Sequence, residues 1–210
     1  MVTRQELYNA LCERHGKEIQ EKITGAVVGV AGLGGLGSNI SVALTRLGVG
    51  RLVLVDFDKV DISNINRQHY FLRHIGTEKT KALSEQLLEI NPWIELSAHT
   101  VRVTPENVKD LFGECDVICE AFDKPDQKAM LTETVMSELP DKPFVCAAGM
   151  AGYGSANEIK TVQRFKNVYI CGDGHTGIES GAGLMAPRVA VCAAHQANMI
   201  LRLILNIKQQ

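Results

Sequence analysis

The chain has 210 residues, of which 45% are hydrophobic, and this length suits one domain with a substantial core. It carries 22 Lys and Arg against 24 Asp and Glu, a net charge of −2, and the basic residues are scattered along the sequence. No nucleic-acid or membrane partner is therefore expected. The six cysteines form no C-x-x-C pair, which predicts a cytoplasmic protein without a cysteine-built zinc site.

The first part of the chain predicts a phosphate-binding site. Residues 4–22 carry apolar side chains at helical spacing and predict an amphipathic helix. A valine-rich run at 26–31 then predicts a strand buried on both faces of a parallel sheet. It leads into Gly32, Gly34 and Gly37, which fit the G-x-G-x-x-G pattern, and a helix starts within this run. The free amides and positive dipole of such a helix face an anion.

A carboxylate follows the next predicted strand. This apolar strand, 52–55, ends in Asp56, about 20 residues beyond the last glycine of the pattern. A carboxylate at that place is typical of a residue that binds ribose hydroxyls. The polar segment 57–68 has no periodicity and predicts a loop at the carboxyl edge of the sheet, where open parallel sheets bind ligands. These features alone fit NAD as well as ATP.

The remaining elements alternate between helix and strand up to residue 149. The predicted helices are 77–90, 105–111 and 125–139, and the predicted strands are 94–98, 117–119 and 143–149. This alternation predicts an α/β fold: a Rossmann-like, mostly parallel sheet with helices on both faces.

The last part of the chain has a different pattern. Residues 158–164 and 167–171 predict two antiparallel strands. A glycine-rich loop at 172–183 precedes a final helix at 186–207. This helix is apolar but contains Arg188 and other polar residues, so we interpret it as a buried amphipathic helix and not as a membrane span.

Three charged residues follow elements that leave the same edge of the sheet. Arg67 lies in the loop after the second strand, Lys79 begins the next helix, and Asp123 comes just after a later strand. Each one alone is more often a solvated surface charge than a functional residue. Together they favour a nucleoside triphosphate, since two cations neutralise phosphate oxygens and a carboxylate holds Mg²⁺.

Four runs of the sequence resemble a known family over essentially the whole chain. They are GLGGLGSN, LVDFDKVDISNINRQ, GTEKTKA and EAFDK. They resemble the ThiF/MoeB/HesA adenylating family of the ubiquitin-activating-enzyme superfamily, and most closely its short form of ThiF. The resemblance implies that ATP activates the C-terminal Gly carboxylate of a ThiS-like, ubiquitin-like sulfur carrier. The products would be an acyl-adenylate and pyrophosphate, in thiamine thiazole biosynthesis.

The resemblance also implies roles for individual residues. It further implies that residues 1–210 form a single domain with three parts. The implied nucleotide-binding residues are Gly32, Gly34, Gly35, Gly37, Asp56, Asp58, Asn64, Arg67, Gln68, Lys79 and Arg14. Arg67, Lys79 and Asp123 would be catalytic, with Asp123 as the metal ligand. Arg14 would reach the ATP site of the partner in a homodimer. The N-terminal helix 4–22 would be followed by a nucleotide-binding part, 23–149, and a carrier-binding part, 150–210.

The sequence departs from the family pattern at two places. The zinc-binding C-x-x-C pairs of larger relatives are missing, and the loop at 172–183 has no internal cysteine to accept an acyl group or sulfur. Cys171, at a strand end, is interpreted as structural. We expect the Gly-Gly tail of the carrier to enter beside residues 147–149 and this loop. Three alternatives stay open: adenylation of a MoaD-like carrier, an NAD-linked oxidoreductase, and a non-catalytic carrier-binding module.

Overall fold

The computed structural model describes residues 2–177 and 181–207 of the chain. The helices in this part are α1 (Arg4–His15), α2 (Lys17–Gly25), α3 (Gly35–Leu47), α4 (Lys79–Ile90), α5 (Val108–Phe112), α6 (Pro125–Glu138) and α7 (Ala186–Ile204). The strands are β1 (Val27–Ala31), β2 (Arg51–Val55), β3 (Glu95–His99), β4 (Val117–Glu120), β5 (Phe144–Ala147), β6 (Lys160–Phe165) and β7 (Val168–Gly172). Short 3-10 turns lie at Ile62–Asn64, Leu72–His74 and Ala156–Glu158.

The strands of the described residues form one sheet in the order β3-β2-β1-β4-β5-β7-β6. All neighbouring strands are parallel except β6 and β7, which pair antiparallel at one edge. Ala31 at the end of β1 is level with Val55 of β2 on one side and with Glu120 of β4 on the other. The chain therefore leaves these three strands at one edge of the sheet, at the point where the strand order reverses.

Helices cover both faces of the sheet, as the sequence predicted. On one face α3, α4 and α7 bury apolar side chains, among them Ile40, Leu83 and Ile200. On the other face α5 and α6 do the same with Phe112 and Leu131. The Rossmann-like α/β fold is thus confirmed. Within the described ranges, no helix is both long and apolar enough to cross a bilayer.

The prediction of one N-terminal helix over 4–22 is wrong, because the helix is interrupted at Gly16. This residue has φ +87°, a conformation that costs glycine little and other residues much. Helix α1 therefore ends at His15 and α2 starts a new direction at Lys17. Helix α1 buries no residue, whereas α2 buries Gln20 and Ile23 against the core.

The last part of the chain folds as predicted where it is described. Strands β6 and β7 are the expected antiparallel pair, and α7 begins with Pro187 in its first turn. The glycine-rich loop predicted at 172–183 is described at 172–177 and 181–183, while residues 178–180 lie outside the described residues.

Candidate functional site

A cavity of about 690 Å³ opens at the carboxyl edge of the sheet. Among the residues that line it are Gly32, Gly34, Gly35, Asp56, Asp58, Asn64, Arg67, Gln68, Lys79 and Asp123. The structure therefore brings together every predicted site residue except Gly37 and Arg14. Gly37 lies just behind the lining, in the first turn of α3. Arg14 lies on the exposed helix α1, away from the lining, so its contact with a partner subunit stays a prediction.

The glycine turn brings the N-terminus of α3 close to β1. Gly32 has φ +91°, and its amide donates to the Val55 carbonyl at 2.8 Å. A Cβ atom on Gly37 would clash with the carbonyl oxygen of Gly32, so only glycine allows this approach. The N-cap of α3 is Gly34, which has no side chain to occupy the first amides. The helix therefore presents free amides and its positive dipole end at the cavity.

Asp56 is held at the end of β2 by backbone amides. Its Oδ2 accepts from the Leu33 amide at 2.7 Å, and its Oδ1 accepts from the Asp58 amide at 2.8 Å. Burial raises the pKa of Asp56 and outweighs the opposing effects of Lys79 and these amides. The carboxylate is thus fixed in direction and keeps free lone pairs for hydroxyl donors.

Lys79 is a buried cation at the first position of α4. Its side chain is 7% exposed, and its Nζ donates to Asp58 Oδ2 at 3.0 Å and lies 3.9 Å from Asp56 Oδ2. A helix N-terminus disfavours a cation by itself. The two carboxylates therefore hold the ammonium in place beside the cavity.

The loop after β2 places Arg67 and Gln68 over the glycine turn. The Arg67 guanidinium donates to the Ser63 carbonyl at 3.0 Å and to Asn66 Oδ1 at 2.8 Å. A Cβ on Gly35 would lie 3.4 Å from the Arg67 side chain, so the arginine packs directly on the start of α3. Gln68 is buried, and its Oε1 has no hydrogen-bond partner. An orphaned buried oxygen in a cavity wall is a place where a ligand donor fits.

A buried ion pair, which was not predicted from the sequence, lies where β4 ends, close to Asp123 in the chain. Glu120, at the end of β4, is 1% exposed, and its two carboxylate oxygens accept from Lys128 Nζ at 2.9 and 3.0 Å. Lys128 also donates to the Ala147 carbonyl at 3.0 Å, and Glu120 accepts from the Phe122 amide at 2.6 Å. This pair joins the exits of β4 and β5. The available sequence signal was a carboxylate directly after an apolar strand.

The cavity has a second half of different character. We call one part of the cavity the charged half. It is lined by Gly32, Gly34, Gly35, Asp56, Asp58, Asn64, Arg67, Gln68, Lys79 and Asp123. The uncharged half is lined by Ala147, Ala148, Gly149, Met150, Ala151, Thr176, Gly177, Leu184 and Val189. These residues are mostly small and carry no charge. The two halves meet where β4 and β5 end, beside Asp123.

The cysteines near the cavity have the properties of core residues. Cys119, Cys146, Cys171 and Cys192 are buried. Burial raises the pKa of Cys171 to about 11, so the thiol stays protonated at neutral pH. A buried, protonated thiol is a poor nucleophile, which agrees with the structural interpretation of Cys171.

The fold and site together define a class of protein. They combine an open parallel sheet, a glycine turn at its switch point and a carboxylate after the next strand, and these features are typical of nucleotide-binding α/β proteins. Within that class, residues 8–210 match the ThiF family. The chain belongs to this family, which confirms the resemblance seen in the sequence.

Individual relatives add detail. The chain is 36% identical over 138 residues to the tRNA threonylcarbamoyladenosine dehydratase of Bacillus subtilis, a match of 65% of this chain and 54% of that protein. It is 34% identical over 131 residues to the probable adenylyltransferase/sulfurtransferase MoeZ of Mycobacterium tuberculosis, covering 62% of this chain and 33% of that protein. The chain thus spans about half or less of the curated relatives it matches.

A solved structure shares the fold over the whole chain. It is the E. coli tRNA N6-threonylcarbamoyladenosine dehydratase TcdA in complex with ATP, with a TM-score of 0.85 and 21% identity. The match covers 98% of this chain and 97% of that chain.

The buried ion pair yields a prediction about stability. Lys128→Met leaves the Glu120 carboxylate buried without its partner, so we expect the free energy of unfolding to fall by about 3–5 kcal/mol. The double variant Glu120→Gln/Lys128→Met should recover much of this loss because it removes the stranded charge. Urea denaturation followed by circular dichroism measures both. Lys124→Met, an exposed lysine beside the same helix, is the matched control and should change stability by about 0.5 kcal/mol or less. A Lys128→Met loss no larger than that of the control would contradict the prediction.

Proposed function

We propose that this chain is an ATP- and Mg²⁺-dependent adenylyltransferase that activates the C-terminal Gly carboxylate of a small ubiquitin-like sulfur carrier. The carrier is of the ThiS type, and the reaction serves thiamine thiazole biosynthesis in the cytoplasm. The proposal extends to a homodimer, with Arg14 reaching the partner's nucleotide. One observation carries it: a single cavity joins a charged half, suited to a triphosphate, to an uncharged half, suited to a glycine tail.

The charged half has groups suited to the ribose and the phosphates of ATP. The Asp56 carboxylate accepts from the ribose hydroxyls, and the amides at the N-terminus of α3 bind phosphate. Arg67 and Lys79 neutralise the β- and γ-phosphates, with Lys79 at the γ end. Asn64 and Gln68 add neutral hydrogen bonds, since their side-chain NH₂ groups donate to phosphate oxygens, while the unpartnered Gln68 Oε1 is free to accept from a hydroxyl or other donor of the ligand.

Asp123 fits the role of a magnesium ligand. Its carboxylate is exposed and lines the cavity beside the exits of β1 and β4, whereas Asp58 is already paired with Lys79. Mg²⁺ in nucleotide sites is typically bound by one or two carboxylates together with phosphates and water. When bound, the ion offsets the negative charge of the phosphates.

The chemistry needs alignment more than a protein nucleophile. A carboxylate oxygen of the carrier attacks the α-phosphorus of ATP, the bond to the oxygen that bridges to the β-phosphate breaks, and pyrophosphate leaves. Arg67 and Lys79 stabilise the charge that moves onto the pyrophosphate. The uncharged half holds the acyl end in line, because its small residues leave space for an extended Gly-Gly segment.

A carboxylate carried by a tRNA nucleoside is the second candidate substrate. The 36% identity with the tRNA threonylcarbamoyladenosine dehydratase of Bacillus subtilis favours it. RNA binding, however, rests largely on cations that contact phosphates. The residues named for the uncharged half include no cation. Lys124 and Lys128 also line the cavity, but Lys128 is already paired with Glu120, and this favours the peptide tail.

The test is pyrophosphate–ATP exchange with defined substrates. We expect labelled pyrophosphate to enter ATP only when Mg²⁺ and a Gly-Gly-ended carrier are both present. A ThiS-like carrier should be more effective than a MoaD-like carrier, and the same carrier without its last Gly should be inactive. Exchange with tRNA but with no carrier would favour the second candidate. Exchange with none of these substrates would overturn the proposal, and nicotinamide binding without ATP binding would instead favour an oxidoreductase.

Two substitutions in the charged half test the assigned roles. Arg67→Ala and Asp123→Ala should each lower the exchange rate by about two to three orders of magnitude, since each removes a charge contact to the reacting phosphates. Arg73→Ala and Asp126→Ala are matched controls, because neither residue lines the cavity. Near-normal exchange in a test variant would show that its assigned role is wrong.

The raised pKa of Asp56 predicts a pH dependence of nucleoside binding. As the pH falls, Asp56 gains a proton at a higher pH than an ordinary aspartate and loses its capacity to accept from both ribose hydroxyls. Adenosine affinity should therefore fall by about tenfold across this transition. Asp56→Asn should bind adenosine more weakly at neutral pH and show only the pH dependence of adenine itself. Calorimetric titrations of both proteins measure this, and parallel pH profiles would contradict the role of Asp56.

A further inference from the structure

Arg188 is a buried cation that the proposed mechanism does not use. It lies in the first turn of α7, is 4% exposed, and connects that helix to two loops. Its guanidinium donates to the Ser155 carbonyl at 2.6 Å, to Glu158 Oε2 at 3.3 Å and to Asp173 Oδ2 at 2.7 Å. Burying an arginine costs solvation energy, so the three acceptors are needed to hold it there.

Asp173, in turn, organises the chain that follows β7. Its carboxylate accepts from the His175 amide at 2.9 Å, the Thr176 amide at 2.8 Å and the Thr176 hydroxyl at 2.5 Å. Burial alone would raise the pKa of Asp173, but the hydrogen bonds from Thr176, His175 and Arg188 lower it well below its usual value. The carboxylate therefore stays charged and fixes the turn 173–177.

The turn 173–177 lies directly on the uncharged half of the cavity. The Asp173 amide donates to the Gly149 carbonyl at 3.0 Å, and the Gly174 amide donates to the Ala148 carbonyl at 3.0 Å. A Cβ on Gly149 would clash with Asp173 Oδ1, so the carboxylate touches the cavity floor itself. Thr176, at the end of these contacts, lines the cavity. A chain of contacts thus leads from Arg188 through Asp173 to the wall of the uncharged half.

The same cluster has the geometry of a cation site, and the arginine already fills it. Ligand atoms of Glu158, Asp173 and His175 lie within 4.8 Å of one another. The guanidinium of Arg188 is hydrogen-bonded to both carboxylates of this group. The positive charge there is therefore supplied by the chain, and the cluster acts as an internal clamp.

We propose that Arg188 is a positioning residue for the acyl substrate, because through Asp173 it holds the turn 173–177 as one wall of the groove for the carrier tail. This inference rests on the proposed adenylation of a carrier. Among the described residues, the hydrogen-bond partners of Arg188 (Ser155, Glu158 and Asp173) form no hydrogen bond or ion pair with a residue assigned to ATP. Loss of the clamp should therefore weaken carrier binding and leave ATP binding unchanged.

The experiment compares Arg188→Gln with Arg188→Lys, Asp173→Asn and the double variant Arg188→Gln/Asp173→Asn. Pyrophosphate–ATP exchange gives the KM for a Gly-Gly-ended ThiS-like carrier, and calorimetry gives the Kd for ATP. For Arg188→Gln we expect the carrier KM to rise by about tenfold or more, because a displaced wall misaligns the tail. The ATP Kd should stay within about twofold of wild type. Arg188→Lys should restore part of the affinity.

The double variant and a control distinguish this role from a merely structural one. A structural role lowers the fraction of active protein, hence kcat, but leaves the KM of the folded fraction unchanged. If Arg188 acts through Asp173, the double variant should have a carrier KM no higher than that of Arg188→Gln. Arg202→Gln, on the same helix but outside the cavity lining, should match wild type.

Each outcome decides a defined question. An unchanged carrier KM in Arg188→Gln, with wild-type exchange intact, overturns the positioning role alone. Absence of exchange in the wild-type protein with every carrier overturns the proposed function instead. If Arg188→Gln does not fold, Asp173→Asn carries the test, because it keeps the size of the side chain and one acceptor oxygen. An unchanged carrier KM in that variant overturns the inference.

Discussion

The charged half of the cavity depends on one backbone constraint, the fit of the Gly32 turn between β1, β4 and the first turn of α3. The carbonyl oxygen of Gly32 fills the space that a side chain on Gly37 would need. On its other side the turn meets Ala121, whose carbonyl oxygen would lie 2.8 Å from a Cβ on Gly32. Because three backbone segments meet without side chains between them, α3 points its free amides at the cavity. The same turn presents the Leu33 amide to Asp56.

Two buried ion pairs support the uncharged half of the cavity. Glu120 and Lys128 join the exits of β4 and β5, while Arg188 and Asp173 join α7 to the turn 173–177. A buried ion pair adds little net stability, because desolvation offsets most of the attraction. The stronger effect of such a pair is to fix the position of the two elements that it joins, since moving one partner away leaves the other charge buried and uncompensated. The Arg188–Asp173 pair lies behind small, uncharged residues, whereas the Glu120–Lys128 pair reaches the cavity lining through Lys128, so both pairs can fix the position of the wall.

The residues that line the charged half could be located from the sequence because they are adjacent to the elements that place them, while their roles stay predictions. Asp56 ends a strand, Lys79 begins a helix, and the glycines form the turn itself, so local patterns locate each of them. The partners of Glu120 and Arg188 lie on other elements, and their pairing depends on how α6 and α7 pack. From the sequence, Arg188 was only a polar residue in an apolar helix. The break at Gly16 escaped prediction for a related reason: helical spacing continues across it, while the direction of the chain does not.

In the proposed reaction the charged half binds ATP and the uncharged half binds the acyl substrate. This division bears on which substrate is chosen. In the proposed reaction, attack of a carboxylate on the α-phosphorus would place the same demands on Arg67, Lys79 and Asp123 whatever molecule carries the carboxylate. Relatives of this chain have names as different as tRNA threonylcarbamoyladenosine dehydratase and probable adenylyltransferase/sulfurtransferase. Discrimination must therefore come from the surfaces that meet the acyl substrate. In this chain those surfaces consist mostly of small, uncharged residues, and the charged side chain of Lys128 lies at their margin, bonded to the Ala147 carbonyl. A wall of this kind can select its substrate by shape, because it fits an extended tail with small side chains. A Gly-Gly terminus, as proposed for the substrate, is the least bulky tail of this kind.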